Sequence, residues 1–477
     1  MTFLDKRRPL PVRAMVWLVL GLAGCSSYDM QQGMDQTSRT TRNFSQGGLN
    51  LARTQAQRDQ RRAISRQLLA APVGPKEAVQ LLLNNSPAFQ ALLAQQGELG
   101  ARAAQSGRIA NPSFAFERVV TGSELELNRF LTFGLLDLLT LPQRAAMADV
   151  RMEQAQVQAA SEVVDQVTQV RQAWVRAVAA QQMAHYAEQV VASAQASAEL
   201  ARRMEAVGNF NKLTRARHQA FYADAAAQLA TATQAALSRK EELVRWLGLD
   251  DDQAQQLVLP ERLPDVPKQP LLPQDVAQQA TYERLDIQQA RAALNVAAKA
   301  QGLNQVTSFT DIELSVRRGR VSDSSAATSA SRRGYEVGVK LPVFDWGGMQ
   351  REAMSAQTLA AAHRLESTLR LAGSSLRESY AAYRTAHDVS RHYKEEVLPL
   401  RKVIADENVL RYNGMLIGVF ELLADSRDQI SAVVSAIAAE QQFWLADAAL
   451  QATLMGRPTT IAWVASNSTT ANSPAGH

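Results

Sequence analysis

The 477-residue sequence predicts a mainly α-helical protein with a small β part. Residues 143–207 contain neither proline nor glycine, so they can form one uninterrupted helix. Hydrophobic residues make up 46% of the chain and aromatic residues only 6%, because alanine supplies much of the apolar content. Alanine is the best helix former and a poor filler of thick cores, so we expect long, thin helices that approach each other closely.

A short helix is predicted from about Leu49 to Leu69. From residue 76 onward six helical segments are predicted, and the second and fifth are far longer than helices of compact domains. At about 1.5 Å per residue, residues 143–207 alone would span roughly 98 Å. Apolar residues inside this segment follow the 4-3-4-3 spacing of a coiled-coil seam, namely Val163, Val167, Val170, Trp174 and Ala177. The predicted helices cover 76–107, 143–207, 211–247, 274–303, 349–412 and 419–455.

The long helices turn at glycine and asparagine, which accept the left-handed backbone that ends a helix. Gly208 and Gly414 lie 206 residues apart, and Gly248 and Gly456 lie 208 apart. We attribute this drift to two extra residues at the second tip, around 415–418. The body is therefore predicted to be a duplication in which each half is a long coiled-coil hairpin. The first repeat covers 76–267, the second 268–456, and a flexible C-terminal tail covers 457–477.

The N-terminus is typical of an export signal. The apolar run at 14–20 follows basic residues and is too short to span a bilayer, so we predict that residues 1–24 are removed. Residues 22–25 (Leu-Ala-Gly-Cys) resemble the bacterial lipoprotein box, and Cys25 is the only cysteine. This resemblance implies lipid on Cys25, palmitate included, a lipid-anchored tether over 25–75, and, from Ser26, sorting to the outer membrane. The alternative is a plain secretory signal with an incidental cysteine.

Each half also contains a short strand pair, near 113–136 and near 307–344. Residues 311–316 and 335–341 alternate apolar and polar side chains, as strands of a transmembrane barrel do, and 318–333 has the composition of an exposed loop. No other segment could span a bilayer as a helix, so a membrane crossing would require strands. Four strands cannot close a barrel, whereas three chains give 12 strands. The alternative is a small soluble sheet on a helical protein.

Several function classes are excluded by composition and motifs. Of the net charge of +5, +3 lies in the first 24 residues, so no concentrated basic surface is left for nucleic acid. The chain has no phosphate-binding loop, nucleophile elbow or metalloprotease motif, so we predict that it is not an enzyme. His387 and His392 lie on different helix faces, which argues against a shared metal site. We expect no metal and no cofactor apart from the lipid on Cys25.

Residues 76–456 resemble the TolC-like outer-membrane efflux proteins. The segment 340–348 (Lys-Leu-Pro-Val-Phe-Asp-Trp-Gly-Gly) is the most specific part of the resemblance, and all segments occur in the same order inside the duplication. The other segments are 77–81 (Glu-Ala-Val-Gln-Leu), 84–87 (Asn-Asn-Ser-Pro), 109–113 (Ile-Ala-Asn-Pro-Ser), 412–414 (Tyr-Asn-Gly) and 420–424 (Phe-Glu-Leu-Leu-Ala).

The resemblance implies a homotrimer with a 12-stranded transmembrane β-barrel in the outer membrane and a helical tunnel, or α-barrel, through the periplasm. Such a duct would passively conduct substrate received from a periplasmic adaptor protein and an inner-membrane pump. Drugs, metal ions and secreted proteins all remain open as substrates. The competing function is a periplasmic coiled-coil lipoprotein adaptor or scaffold without a channel.

The resemblance also implies an acidic gate shortly after the second tip, for which Glu421 is the best match, followed by Asp425. A ring of such carboxylates would favour cations. The alternative is that these are ordinary solvated residues on a helix face. The hairpin tips would contact the adaptor, or would serve only as turns; the candidate residues are Gly208, Asn209, Gly414 and Gly418.

Overall fold

The computed structural model describes residues 29–459 except 275, 277–283, 309, 324 and 326–327. None of the helices in these residues has the length and apolar character that a membrane span requires. The helices before the first long hairpin are α1 (Met30–Ser45), α2 (Gln55–Leu69), α3 (Pro75–Asn85), α4 (Pro87–Ser106) and α5 (Leu135–Leu139).

The remaining helices include the arms of both hairpins. They are α6 (Leu141–Ala206), α7 (Lys212–Leu247), α8 (Asp251–Gln256), α9 (Leu285–Thr307), α10 (Gly348–His392), α11 (Leu398–Asn413) and α12 (Val419–Leu454), and a π-helical turn at Tyr393–Val397 joins α10 to α11. The strands are β1 (Ser113–Thr121), β2 (Glu124–Gly134), β3 (Ile312–Asp323) and β4 (Thr328–Val339).

Two long helical hairpins form the body, as the sequence predicts. The first arm of each hairpin covers 66 residues, in one helix as α6 and in three joined segments from α10 to α11. Both return arms, α7 and α12, have 36 residues. Pro399 lies in the first turn of α11 and lacks the backbone N–H of a helical hydrogen bond. The neighbouring π-helical turn accommodates this missing donor, so the second arm continues past the proline.

The bounds of the hairpin arms in the two halves correspond at a constant offset of 207 residues, from 141 and 348 to 247 and 454. Each tip has five residues, 207–211 and 414–418, so the predicted two-residue insertion at the second tip is wrong. Gly208 has a left-handed φ of 80°, but Gly414 does not, and Met415 with φ 60° takes the left-handed position. The counterpart of Gly208 is therefore Met415 and not Gly414.

Hydrogen bonds confirm this alignment of the tips. The Asn209 N–H donates to the carbonyl of Met204 at 2.8 Å, and the Leu416 N–H donates to that of Arg411 at 2.9 Å. Both bonds close the six-residue loop that ends a helix with a left-handed residue. Asn209 thus corresponds to Leu416.

The predicted helix over 76–107 is broken after Asn85. Ser86 has an extended backbone, and its hydroxyl accepts a hydrogen bond from the Phe89 N–H at 3.4 Å. Pro87 then begins α4, because proline fits the first turn of a helix but disfavours helical geometry in the residue before it.

The four strands form one antiparallel sheet in the order β1-β2-β3-β4, so the pairing of β2 with β3 joins the two halves. The prediction of an exposed loop over 318–333 is wrong, because β3 extends to Asp323 and β4 begins at Thr328. Residues 318–323 pair with residues 328–333 across the hairpin, such as Arg320 opposite Ser331. Strand pairing has overridden a composition that disfavours strands.

The apolar core lies where the N-terminal segment packs against the first hairpin. The predicted seam is buried, with Val163, Val167 and Val170 fully inaccessible. The indole N–H of Trp174 donates to the carbonyl of Val73 at 2.8 Å. The segment predicted as a tether thus contains two packed helices, of which α1 is not predicted because it is almost wholly polar.

The start of the predicted C-terminal tail is attached to the body. Arg457 donates to both carboxylate oxygens of Asp165 on α6, with an Nε to Oδ1 distance of 2.8 Å. Residues 460–477 lie outside the described residues, as do the predicted signal and Cys25.

Gly208→Ala should destabilise the protein by about 1 kcal/mol, because an L-residue pays roughly that to hold a left-handed φ. A Cβ there meets no atom within 4 Å, so backbone strain alone would act. Met415→Gly should stabilise by a similar amount. Thermal unfolding measures both, and Gly302→Ala, in an open helical position of α9, is the control that should not destabilise. Shifts of the same sign for Gly208→Ala and Met415→Gly would contradict the tip alignment.

Candidate channel surfaces and gate

The two faces of the sheet differ in chemistry because side chains alternate along each strand. One face, here called the apolar face, carries most of the large hydrophobic residues of the strands together with arginines and no acidic residue. Most of its hydrophobic members are solvent-exposed in this chain, with Tyr335 80% and Phe114 66% accessible, and the others are half-buried. The register places on this face Phe114, Phe116, Val120, Leu125, Leu127, Leu131, Phe133, Ile312, Leu314, Val316, Tyr335, Val337 and Val339.

The opposite face, here called the acidic face, carries all the acidic residues of the strands. At its centre the buried Asn128 amide donates to Glu117 at 3.0 Å and to Glu126 at 3.1 Å. Arg317 and Arg332 also approach Glu126, at 3.0 and 3.4 Å. Two arginines against six carboxylates leave this face net negative; the carboxylates are Glu117, Glu124, Glu126, Glu313, Asp323 and Glu336.

The outer strands of the sheet are paired on one side only within the described residues. β1 pairs with β2, and β4 pairs with β3, so the second edge of each has no strand partner in those residues. An open edge presents a row of backbone donors and acceptors for another strand.

The far ends of the hairpins expose apolar side chains around the candidate tip residues. Val207 and Leu213 flank Gly208 and Asn209, and Met415 and Leu416 lie between Gly414 and Gly418. The first tip is braced by an ion pair of Glu205 with Arg215 at 3.0 Å. Gly418 precedes α12 with a φ of −85°, a conformation open to any residue.

The candidate gate residues lie one turn apart on α12. Glu421 is exposed in the first helical turn, where its charge interacts favourably with the helix dipole. Asp425 is half-buried and accepts a hydrogen bond from the side-chain amide of Asn408 on α11. Arg401 and Asp428 form a second link between these helices at 3.1 Å. Sequence reasoning missed both links because their spacing along the chain becomes meaningful only once the hairpin is folded.

His218 is a further polar residue at this level that the sequence analysis did not single out. It is buried on α7, its Nδ1 lies 2.7 Å from the Ser197 hydroxyl, and its ring stacks on Phe210. Burial lowers the pKa of His218, which favours the neutral ring. It lines a cavity of about 400 Å³ between the hairpins and stands 207 residues before Asp425. That offset, available once the repeat is aligned correctly, would have identified it.

Two carboxyl groups on α12 are perturbed by burial nearer the middle of the hairpins. Burial raises the pKa of Asp447 to about 6, partly offset by Arg171. Arg171 itself donates to the carbonyl of Phe44 at 2.6 Å and lies over its ring, so it holds α1 against the first hairpin. Burial raises the pKa of Glu440 to about 7, partly offset by Lys394.

The two histidines considered as metal ligands lie in different environments. His387 is buried, with Nε2 2.9 Å from the carbonyl of Pro267 and Nδ1 3.1 Å from Asp388. His392 is exposed beside Glu396 at 3.1 Å. In the part of the chain that the structure describes, no group of three or more His, Cys, Asp or Glu residues could hold a metal ion.

Comparison with known proteins gives a sequence match and several fold matches. Residues 276–405 match the family model of the outer membrane efflux protein. No curated protein sequence matches the chain. Among solved structures, the outer membrane channel CmeC of Campylobacter jejuni has a TM-score of 0.68 at 13% identity and covers 86% of this chain and 89% of its own.

Two further structures have the same fold. The outer membrane protein VceC of Vibrio cholerae has a TM-score of 0.65 at 15% identity, covering 82% of this chain and 96% of its own. A membrane protein from Pseudomonas aeruginosa has a TM-score of 0.65 at 19% identity, covering 82% and 93%. Residues 276–405 therefore match the outer membrane efflux protein family, and the chain as a whole has the fold of these outer-membrane channels.

Proposed function

We propose that the chain is one subunit of a homotrimeric duct that passively conducts substrate from a periplasmic adaptor and an inner-membrane pump to the cell exterior. The observation that carries this proposal is the four-stranded sheet, with its two open edges and its chemically distinct faces. Both features have a physical explanation if several chains share one barrel in a membrane.

Backbone hydrogen bonding requires the sheet edges to be paired in hydrocarbon. Each unpaired backbone group there costs several kcal/mol, so β1 of one chain must pair with β4 of the next. Three chains give 12 strands, which exceeds the minimum of about eight for a closed barrel. The six hairpins of the same three chains then continue the cylinder as an α-barrel.

The alternation of side chains sets the orientation of the sheet in this barrel. The apolar face would contact lipid and the acidic face would line the lumen, as in outer-membrane barrels generally. The net negative charge of the acidic face would raise the local concentration of cations in the pore.

The hairpin tips are the proposed contact with the adaptor. Their exposed apolar residues, including Met415 at 93% and Leu416 at 77% accessibility, form surfaces typical of protein contacts. Gly208, Asn209, Gly414 and Gly418 shape the turns that present these side chains. These surfaces support a contact of the tips with a helical periplasmic partner.

Cysteines placed on the two sheet edges should form disulfides between chains. We expect Ala115→Cys on β1, combined in turn with cysteine at Ala330, Gly334 or Gly338 on β4, to give covalent dimers and trimers in at least one combination on non-reducing gels. These sites lie on the acidic face, and neighbouring strands bring residues within disulfide range.

The matched control is the pair Thr132→Cys and Ser315→Cys, which face each other on β2 and β3 of one chain with hydroxyl oxygens 2.7 Å apart. It should form a disulfide without any increase in mass. If the control disulfide forms while every edge combination stays monomeric, the shared barrel is contradicted.

Removing the candidate gate carboxylates should open the periplasmic end. Glu421→Ala with Asp425→Ala removes up to six negative charges per trimer and the bond from Asn408 to Asp425 that links α11 to α12. We expect severalfold higher single-channel conductance in planar bilayers and weaker cation selectivity. Glu407→Ala, an exposed carboxylate at the same level of α11, is the control and should change neither. Unchanged conductance in the double variant would contradict the gate assignment.

The lipid anchor is proposed from the lipoprotein box at 22–25. Cys25→Ser should abolish incorporation of labelled palmitate in cells, because the acyl-bearing thiol is lost. Ser26→Asp should keep the label but shift the protein from the outer to the inner membrane on density gradients. Labelling of the Cys25→Ser protein would contradict a lipid on this residue.

A further inference from the structure

Five exposed arginines lie together on the apolar face of the sheet. Arg129, Arg318 and Arg333 are direct neighbours on β2, β3 and β4. Arg118 and Arg320 occupy the next row toward the turns, on either side of Leu127. We call these five residues the arginine belt.

The belt lacks internal charge compensation. None of its five side chains forms an ion pair with a residue that the structure describes, and the apolar face carries no acidic residue. The arginines of the acidic face differ, because Arg317 and Arg332 lie opposite glycines and both approach Glu126. Like charges directly opposite each other on neighbouring strands are destabilising, so three adjacent arginines require an external anion.

The belt also marks a boundary along β3 and β4, whereas on β1 and β2 the apolar face continues beyond it to Val120 and Leu125. On β3 the apolar-face residues on the helix side of Arg318 are Ile312, Leu314 and Val316, and beyond the belt only Ser322 follows. On β4 the sequence is the same in mirror image, with Val339, Val337 and Tyr335 before Arg333, and Ser331 and Ser329 after it.

The apolar stretch of β4 fits within the apolar band of an outer-membrane barrel. From Leu341 to Tyr335 the exposed apolar stretch covers roughly 20 Å of extended chain, and the exposed Val343 and Phe344 lengthen it toward the helices. Strands of outer-membrane barrels are tilted by about 35–45°, so this stretch would span roughly 15 Å of an outward apolar band that is about 25 Å tall. The belt therefore lies at the polar boundary remote from the helices, which is the outer leaflet if the hairpins are periplasmic.

We propose that the arginine belt binds the phosphate groups of anionic lipids in the outer leaflet, an inference that rests on the proposed barrel. Guanidinium groups bind phosphate oxygens in bidentate geometry and are only weakly hydrated, which suits a site at the edge of hydrocarbon. A closed trimer would present fifteen such groups as a ring. The lipid phosphates supply the anions that the adjacent arginines require and fix the depth of the barrel in the membrane.

The test uses the full-length protein in detergent micelles, titrated with phosphorylated lipid A, dephosphorylated lipid A or inorganic phosphate. Arg129→Gln, Arg318→Gln and Arg333→Gln together should weaken binding of phosphorylated lipid A about tenfold or more. The matched control, Arg317→Gln with Arg332→Gln on the acidic face, should bind like the wild type. Dephosphorylated lipid A should bind the wild type as weakly as phosphorylated lipid A binds the belt variant.

Equal binding of phosphorylated lipid A by wild-type and belt-variant trimers would overturn the inference. Full competition by inorganic phosphate at equal concentration would assign the site to free phosphate and would also overturn it. Trimer formation and conductance are measured on the same samples, so a wild type without trimers contradicts the barrel, whereas intact trimers with unchanged lipid binding contradict the belt alone. If the triple variant does not fold, Arg333→Gln alone should give a smaller loss in the same direction.

Discussion

The unpaired edges of the four-stranded sheet are the constraint on which the other features depend. Backbone donors and acceptors along β1 and β4 have no strand partner in the described chain, and hydrocarbon offers none. Because each strand pair continues into a helical hairpin, any closure of the sheet into a cylinder imposes the same arrangement on the helices. The equal lengths of the two hairpins allow this, since every arm of the resulting tube then ends at the same level.

The duplication is symmetric in backbone but not in chemistry. At the offset of 207, Thr214 and His218 of the first hairpin correspond to Glu421 and Asp425 of the second. His218 is buried, stacked and held by Ser197, whereas Asp425 is tied to the opposite arm by Asn408. The two positions that carry the candidate gate carboxylates in the second hairpin thus hold uncharged residues in the first. A trimer would alternate the two hairpins, so that these carboxylates come from three hairpins and not from six.

The long hairpins could be predicted from the sequence because the absence of helix breakers and the spacing of apolar residues both favour long helices there. Residues 143–207 have no helix breaker, and the buried Val163 and Trp174 follow the coiled-coil spacing. The predicted alignment of the tips is wrong by one residue because it pairs Gly208 with Gly414. In the second tip Met415 has the left-handed conformation and Gly414 does not. The side-chain links between α11 and α12 could not be predicted from the sequence, since the pairing of Asn408 with Asp425 depends on which faces of these helices meet.

The prediction of a loop in place of the turn-side halves of β3 and β4 is wrong for a different reason. That reason also concerns the position of the sheet in the proposed membrane barrel. Strand prediction from alternation requires one apolar and one polar face. Between Arg318 and Arg333 the apolar face carries arginine and serine, so both faces are polar and the segment has the composition of a loop. Such a strand is stable only through backbone pairing with its neighbours, and it suits a region where both faces are solvated or contact polar headgroups. In the proposed barrel, the same polarity that hides the strand from sequence analysis would mark where the hydrocarbon zone ends.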